Sequence, residues 1–331
     1  MVAKPGPDRE RVGLTSNPAL DIALASLVVA AGFVVAVLAS NRAVTNATEL
    51  AAGTRIPRFV IGFTLLALGT DLPEIANSIV ASLTDHGDLN VGDSIGSAAT
   101  QVTLVLGLLP IIVGTGFAVS RARLSRFGAT TIAALLFGLA LMADGFISRI
   151  DAVVLLAAWA LGSSIVWGRS PEGTQLDLPL EASNKARKAV VVLLALVVVA
   201  GAALAAVWGM TVLAEALSIP EFIIAFFLAS IGTSLPELFV TIGAVRSGQS
   251  ELAIGDIVGS SFLDSTLSLA AGPLIAPVAV TASLAMRGAL VAAGAVLVAV
   301  VVLMIRQRHD WKSGALLVLT YGAFYLWAGI I

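Results

Sequence analysis

The sequence predicts an all-α membrane protein: ten transmembrane helices in two inverted five-helix repeats, the second and seventh helices broken near their middles. Composition, the spacing of apolar runs and an internal repeat carry this expectation. Of 331 residues, 58% are apolar and 12% charged, and the mean hydropathy is +0.99. A soluble domain carries ~25% charged residues, about twice this fraction, so most of the surface must face lipid. At ~20 apolar residues per span, the length holds on the order of ten spans and leaves no room for a separate globular domain. Lys plus Arg total 19 and Asp plus Glu 21, a formal charge of −2, which argues against nucleic acid as the main partner. With no cysteine there are no disulfides and no thiolate chemistry.

Apolar runs bounded by charges, Gly or Pro fall at 19–40, 56–83, 89–115, 127–145, 150–167, 189–209, 219–245, 252–276, 284–305 and 313–331. The tail 1–18, with Asp8 and Glu10, precedes the first run. That run contains a passable cleavage site at Val37-Leu38-Ala39 but is longer than a signal core of ~7–15 residues, so it reads as a span. The first five runs make one repeat, 19–168. A polar stretch, 169–188, with Pro171, Gly173 and Pro179, is the one linker long enough to separate two halves, and 189–331 forms the second repeat. Of the Lys and Arg residues, 14 fall in the odd-numbered loops and 5 in the N-terminal tail and even-numbered loops. This asymmetry places both termini outside and the linker in the cytoplasm. The plasma membrane is the expected location.

Sliding the sequence on itself by 163 residues aligns 56–97 with 219–260 at 18 identities in 42 positions, without a gap. The shared residues include Pro57/Pro220, Gly69/Gly232, Thr70/Thr233, Pro73/Pro236, Glu74/Glu237, Gly92/Gly255, Asp93/Asp256, Gly96/Gly259 and Ser97/Ser260. Helix breakers and polar groups kept at one spacing imply a shared backbone shape. Five spans is an odd number, so the second repeat enters the membrane from the opposite side. Inverted repeats with interrupted helices meeting at mid-membrane are the architecture of secondary transporters.

Gly69-Thr70-Asp71-Leu72-Pro73-Glu74 and Gly232-Thr233-Ser234-Leu235-Pro236-Glu237 lie near the centres of their runs. Each reads as a helix stop followed by a capping signature, with Glu at the third helical position. Non-helical backbone at that depth is tolerated where it lines a cavity or is buried in protein, and its freed carbonyls include those of Thr70 and Thr233. An ionised carboxylate at the bilayer centre costs at least ~2.5–3.5 kcal/mol, against ~0.5–2 kcal/mol from a cap, so capping alone does not account for Glu74 and Glu237. Two carboxylates among carbonyls and hydroxyls make an all-oxygen site suited to hard cations such as calcium and sodium. Ser97 and Gln101 share a helix face, as do Ser260 and Asp264. Asp71 and Ser78 flank Glu74; Thr233, Ser234 and Thr241 flank Glu237. For Ser78 and Thr241 a bond to a neighbouring helix or to their own backbone competes evenly with a ligand role. Asp93 and Asp256 raise the alternative of an intramembrane aspartyl protease, but the Gly-x-Gly-Asp pattern is missing and a capping or interhelical bond is the better reading of both. His86 and His309 lie in connections and receive no role.

These doubled motifs resemble the two α-repeats of the sodium/calcium exchanger family, here about 56–110 and 219–273, and the resemblance covers the whole ten-helix layout. It implies antiport of calcium against sodium by alternating access, no enzymatic activity and no cofactor beyond the transported ions. It also implies that Glu74 and Glu237 bind calcium with the carbonyls of Thr70 and Thr233. Ala67, Thr70, Asp71, Ser97, Ser230, Thr233, Ser234 and Ser260 would border sodium sites, with Gln101 and Asp264 at the centre. Short first and sixth helices would slide across an eight-helix core. Departures from the family pattern are Asp71 in place of Ser, Gln101 in place of Asn, Ala98 and Ser261 in place of Asn, and Asp93 and Asp256 in place of Asn. They bear on the coupling ions, leaving proton-coupled or potassium-assisted calcium exchange as the alternative and a cation channel as a more distant one.

Overall fold

The computed structural model describes residues 17–50, 62–167 and 185–330. The N-terminal tail, the start of the second predicted helix and most of the linker lie outside them. Helical backbone runs through α1 (Pro18–Leu50), α2 (62–83), α3 (Gly87–Val113), α4 (Arg121–Leu141) and α5 (Arg149–Trp167), then α6 (Lys185–Leu217), α7 (Glu221–Arg246), α8 (250–275), α9 (Ala282–Arg306) and α10 (Trp311–Ile330). Among the described residues, α3, α4, α7, α9 and the stretches Ala19–Ala39 and Leu193–Leu217 are long and apolar enough to cross a membrane.

The first and sixth helices correct one expectation: at 33 residues each they are long. No Gly or Pro interrupts α1 beyond its apolar stretch, where the Thr45 hydroxyl and Asn46 amide bond back to the carbonyls of Asn41 and Arg42. The two helices lie along one another through small residues. A Cβ at Gly32 would come 3.1 Å from the Ala202 carbonyl, and one at Gly209 would come 2.7 Å from Val29. Their outer faces expose Leu27, Leu38, Leu193 and Val197, a surface suited to lipid.

α3 and α8 form the buried centre, and almost every side chain in 89–106 is shielded from solvent. Their glycines let other helices approach at backbone distance. A Cβ on Gly96 would overlap the Phe226 backbone in α7, and one on Gly259 would overlap the Phe63 backbone in α2. Phe63 and Phe226 are themselves 163 apart, so the contact is made twice with the halves exchanged. Contacts of this kind are reciprocal between the halves. π-helical turns correspond between them too, at Gly62–Leu66 with Ala225–Ala229 and at Gln101–Val105 with Asp264–Ser268.

Pro110 and Pro273 also stand 163 apart, inside α3 and α8. Lacking an N–H, each leaves the carbonyl four residues earlier without its helical donor. The two halves repair this differently: Asn90 Nδ2 donates to the Leu269 carbonyl at 3.2 Å, and His309 Nε2 lies 2.7 Å from the Leu106 carbonyl. Two strand pairs, absent from the all-α expectation, clip the connections together: β1 (Phe117–Ala118) with β4 (Arg308–His309), and β2 (Phe146–Ile147) with β3 (Val278–Ala279). In these tight connections, pairing satisfies backbone groups that no helix serves.

Candidate ion-exchange site

Helix α2 divides into Gly62–Leu66, Ala67–Thr70 and Leu72–Leu83, and α7 divides into Glu221–Ile224, Ala225–Ala229, Ser230–Thr233 and Leu235–Arg246. The break falls on one residue in each, Asp71 (ψ 8°) and Ser234 (ψ 6°). Pro73 and Pro236 follow and give no N–H to the preceding turn. The expected capping geometry is only half realised, because neither Asp71 nor Ser234 makes a side-chain cap bond. Their side chains are turned to the interior instead. The hydroxyls of Thr70 and Thr233 bond back to the carbonyls of Leu66 and Ala229, the last residues of the two π turns.

One carboxylate oxygen from each of Asp71, Glu74 and Glu237 lies within 4.8 Å of the other two. All three residues are at most 1% exposed, and none of their carboxylate oxygens meets a hydrogen-bond donor among the described residues. No Lys or Arg is among the described buried residues, whereas Asp93, Asp256 and Asp264 are buried as well. At an effective dielectric of ~20, two charges at this separation repel by about 3–4 kcal/mol. Three ionised carboxylates without a counter-charge therefore oppose the fold, and a bound cation turns that opposition into attraction.

Around the cluster the two halves meet residue by residue. Gln101 Nε2 donates to Asp264 Oδ2 at 2.9 Å, leaving Gln101 Oε1 and Asp264 Oδ1 unpartnered. The Ser97 and Thr233 hydroxyls are 3.3 Å apart, and those of Thr70 and Ser260 are 3.4 Å apart. Ser230 donates to the Phe226 carbonyl at 2.6 Å and lies 3.1 Å from Thr100 Oγ1. Ala67 is fully buried, and the Ser234 hydroxyl is buried without a partner. Phe33 of α1 lies across the second break, against Gly232, where any side chain would strike its ring.

Two sequence candidates take structural roles: Ser78 accepts from the Gly272 amide, and Thr241 donates to the Glu237 carbonyl. Asp93 is held by Asn77 Nδ2 at 2.5 Å and Thr233 Oγ1 at 3.0 Å, the interhelical bonding expected of it. Asn77 escaped sequence reasoning, because an isolated Asn in a helix has no pattern. Its signal is a mismatch between the repeats: Val240 stands at the equivalent position.

A membrane bundle with close, buried carboxylates at the breaks of two related helices, and no Lys or Arg among the described buried residues to neutralise them, has the construction of a cation transporter. Residues 24–168 and 188–329 match the family model described as sodium/calcium exchanger protein. The chain belongs to the sodium/calcium exchanger family. It is 30% identical to inner membrane protein YrbG of Escherichia coli (strain K12) over 77% of this chain and 81% of that protein. It is 25% identical to sodium/calcium exchanger MaX1 of Methanosarcina acetivorans over 77% and 84% of the two chains. The solved sodium-calcium exchanger NCX_Mj superposes with a TM-score of 0.63 at 27% identity, covering 91% of this chain and 97% of the other. The protein is thus an integral membrane cation antiporter, a transporter rather than an enzyme, and it acts on transported ions without a cofactor.

Proposed function

We propose that the protein exchanges calcium for sodium by alternating access, through two inverted five-helix repeats, 19–168 and 189–331, joined by a cytoplasmic linker at 169–188. The observation that carries this reading is the unpartnered cluster of Asp71, Glu74 and Glu237 at the two helix breaks. Calcium takes 6–8 oxygen ligands, several of them carboxylates. Glu74 and Glu237 supply charge, and the carbonyls of Thr70 and Thr233 complete the calcium shell. Ala67, Thr70, Asp71, Ser97, Ser230, Thr233, Ser234 and Ser260 border sodium positions, with Gln101 and Asp264 between them. Exchange is obligatory for an electrostatic reason: bare carboxylates are too costly to carry through a low-dielectric barrier, so the site reorients only when cations neutralise it. Inward sodium movement then drives calcium out across the plasma membrane, with both termini outside.

Asp71 supports a second reading. Its carboxylate is fully buried and unpartnered one turn from Glu74, so the loaded site has one more negative charge to balance than the family's Ser at that position provides. That charge fits a potassium ion or proton as an additional partner in the cycle. Radiolabelled calcium uptake into proteoliposomes under separately imposed sodium, potassium and proton gradients tests both readings. Uptake driven by an outward sodium gradient alone is expected, a proton or potassium requirement would install the second reading, and flux without counterflow would indicate a channel.

A further inference from the structure

The internal repeat makes Asp93 and Asp256 equivalent in sequence, yet their surroundings differ. Asp93 has both oxygens occupied, one by the Asn77 amide and one by the Thr233 hydroxyl at 3.0 Å. Asp256 has only the Thr70 hydroxyl, at 3.5 Å from Oδ1, and its Oδ2 meets no partner among the described residues although the residue is 0% exposed. The difference traces to one substitution, because Val240 stands where the first repeat has Asn77.

The Thr70 hydroxyl has a single hydrogen, and carbonyls at Leu66 and Ala67, each 3.2 Å away, compete for it. When that hydrogen goes to the backbone, a Thr70 lone pair faces Asp256 Oδ1, with Ser260 Oγ 3.4 Å from Thr70 Oγ1. Two hydroxyl oxygens with lone pairs then lie beside a carboxylate whose Oδ2 no donor reaches among the described residues, whereas at Asp93 the Asn77 amide occupies the second oxygen. In the first repeat an amide donor reaches the carboxylate; in the second Val240 brings none.

We infer that Asp256, with Thr70 and Ser260, is a ligand for one monovalent alkali cation, whereas Asp93 is a structural acceptor. One carboxylate balances one positive charge, while a divalent ion demands several acidic ligands and is better served by Glu74, Glu237 and Asp71. This inference rests on the reading of the chain as an ion exchanger and adds to it a charged ligand on one side only. The alkali ion and the divalent ion therefore compete through Thr70, which both sites touch.

The test is equilibrium binding to the purified full chain in nanodiscs, with radiolabelled sodium counted per chain and calcium titrated with and without sodium or potassium. Asp256→Asn removes the charge, and Val240→Asn supplies the amide of the first repeat. Each variant is expected to bind one sodium fewer than wild type, to lose about one unit of Hill slope in sodium competition, and to hold calcium in alkali-free buffer within about twofold of wild type. Thermal melting identifies a variant that does not fold, and the other variant then decides. Loss of bound potassium but not sodium makes the ion potassium. Equal alkali counts in wild type and both variants overturn the inference while leaving the exchange site standing, and a wild-type chain that binds neither ion overturns both.

Discussion

Glu74 and Glu237 lie three residues beyond their helix breaks, each with both carboxylate oxygens unpartnered and shielded from solvent. A divalent ion held there depends on both charges, and removing one partner of a buried charge pair costs about 3–5 kcal/mol, which exceeds a hundredfold in affinity. Glu74→Gln or Glu237→Gln is therefore expected to reduce calcium uptake in proteoliposomes to background while thermal melting in detergent stays near wild type. Wild-type uptake in either variant would refute the site. Asp71→Ser removes the additional charge and is expected to shift the ionic requirement and pH profile of exchange. An unchanged profile would leave Asp71 with no part in coupling. These candidates were legible in sequence because they are polar groups where apolar ones belong. The direction of the Asp71 side chain was not, since an Asp before Pro reads as a cap, and whether it caps its helix or faces the opposite helix is decided by the packing of α2 on α7.

At the scale of elements, small residues and prolines set the geometry. Gly96 and Gly259 admit neighbouring backbones that a methyl group would displace. Overpacking a tight interior costs ~1–3 kcal/mol. Gly96→Ala is expected to lower the melting temperature measurably, and more than Gly243→Ala, where the space is open. Equal shifts would contradict the close contact. His309 is a second case. A carbonyl only accepts, so Nε2 carries the proton toward Leu106 and Nδ1 faces Ser313 Oγ at 2.9 Å. Burial pushes its pKa down from 6.5 to about 4. Above pH 6.5 the ring is neutral whether folded or unfolded; between 6.5 and 4 only the unfolded chain takes the proton, so stability falls with acid, by up to about 3 kcal/mol. Melting curves of His309→Gln should lack this part of the acid slope, and identical slopes would remove His309 as its source. Sequence placed His309 in a connection and Pro110 in a helix, but nothing local says that His309 serves the Leu106 carbonyl freed by Pro110, 203 residues away.

For the whole molecule, the reciprocal contacts at an offset of 163 support two repeats related by a two-fold axis. If the bias of 14 to 5 basic residues orients them, a reporter inserted near Thr174 will be cytoplasmic and one fused after Ile331 extracellular. Both reporters on one side would break the five-plus-five inverted arrangement.

The sequence alone determined that the chain lives in lipid, that it is built twice, and that two glutamates lie at helix breaks. Each of these follows from composition or from residues recurring at a fixed distance along the chain. Only the tertiary structure decided how the halves differ: that Asp93 is satisfied and Asp256 is not, that Asn77 matters where Val240 does not, and that Ser78 and Thr241 serve helix packing. The physical reason is that a buried polar group's role is set by whether a donor, an acceptor or nothing reaches it. In this bundle Thr233, Thr70 and Gln101 reach Asp93, Asp256 and Asp264 from the opposite half of the chain, and Asn77 reaches Asp93 from its own.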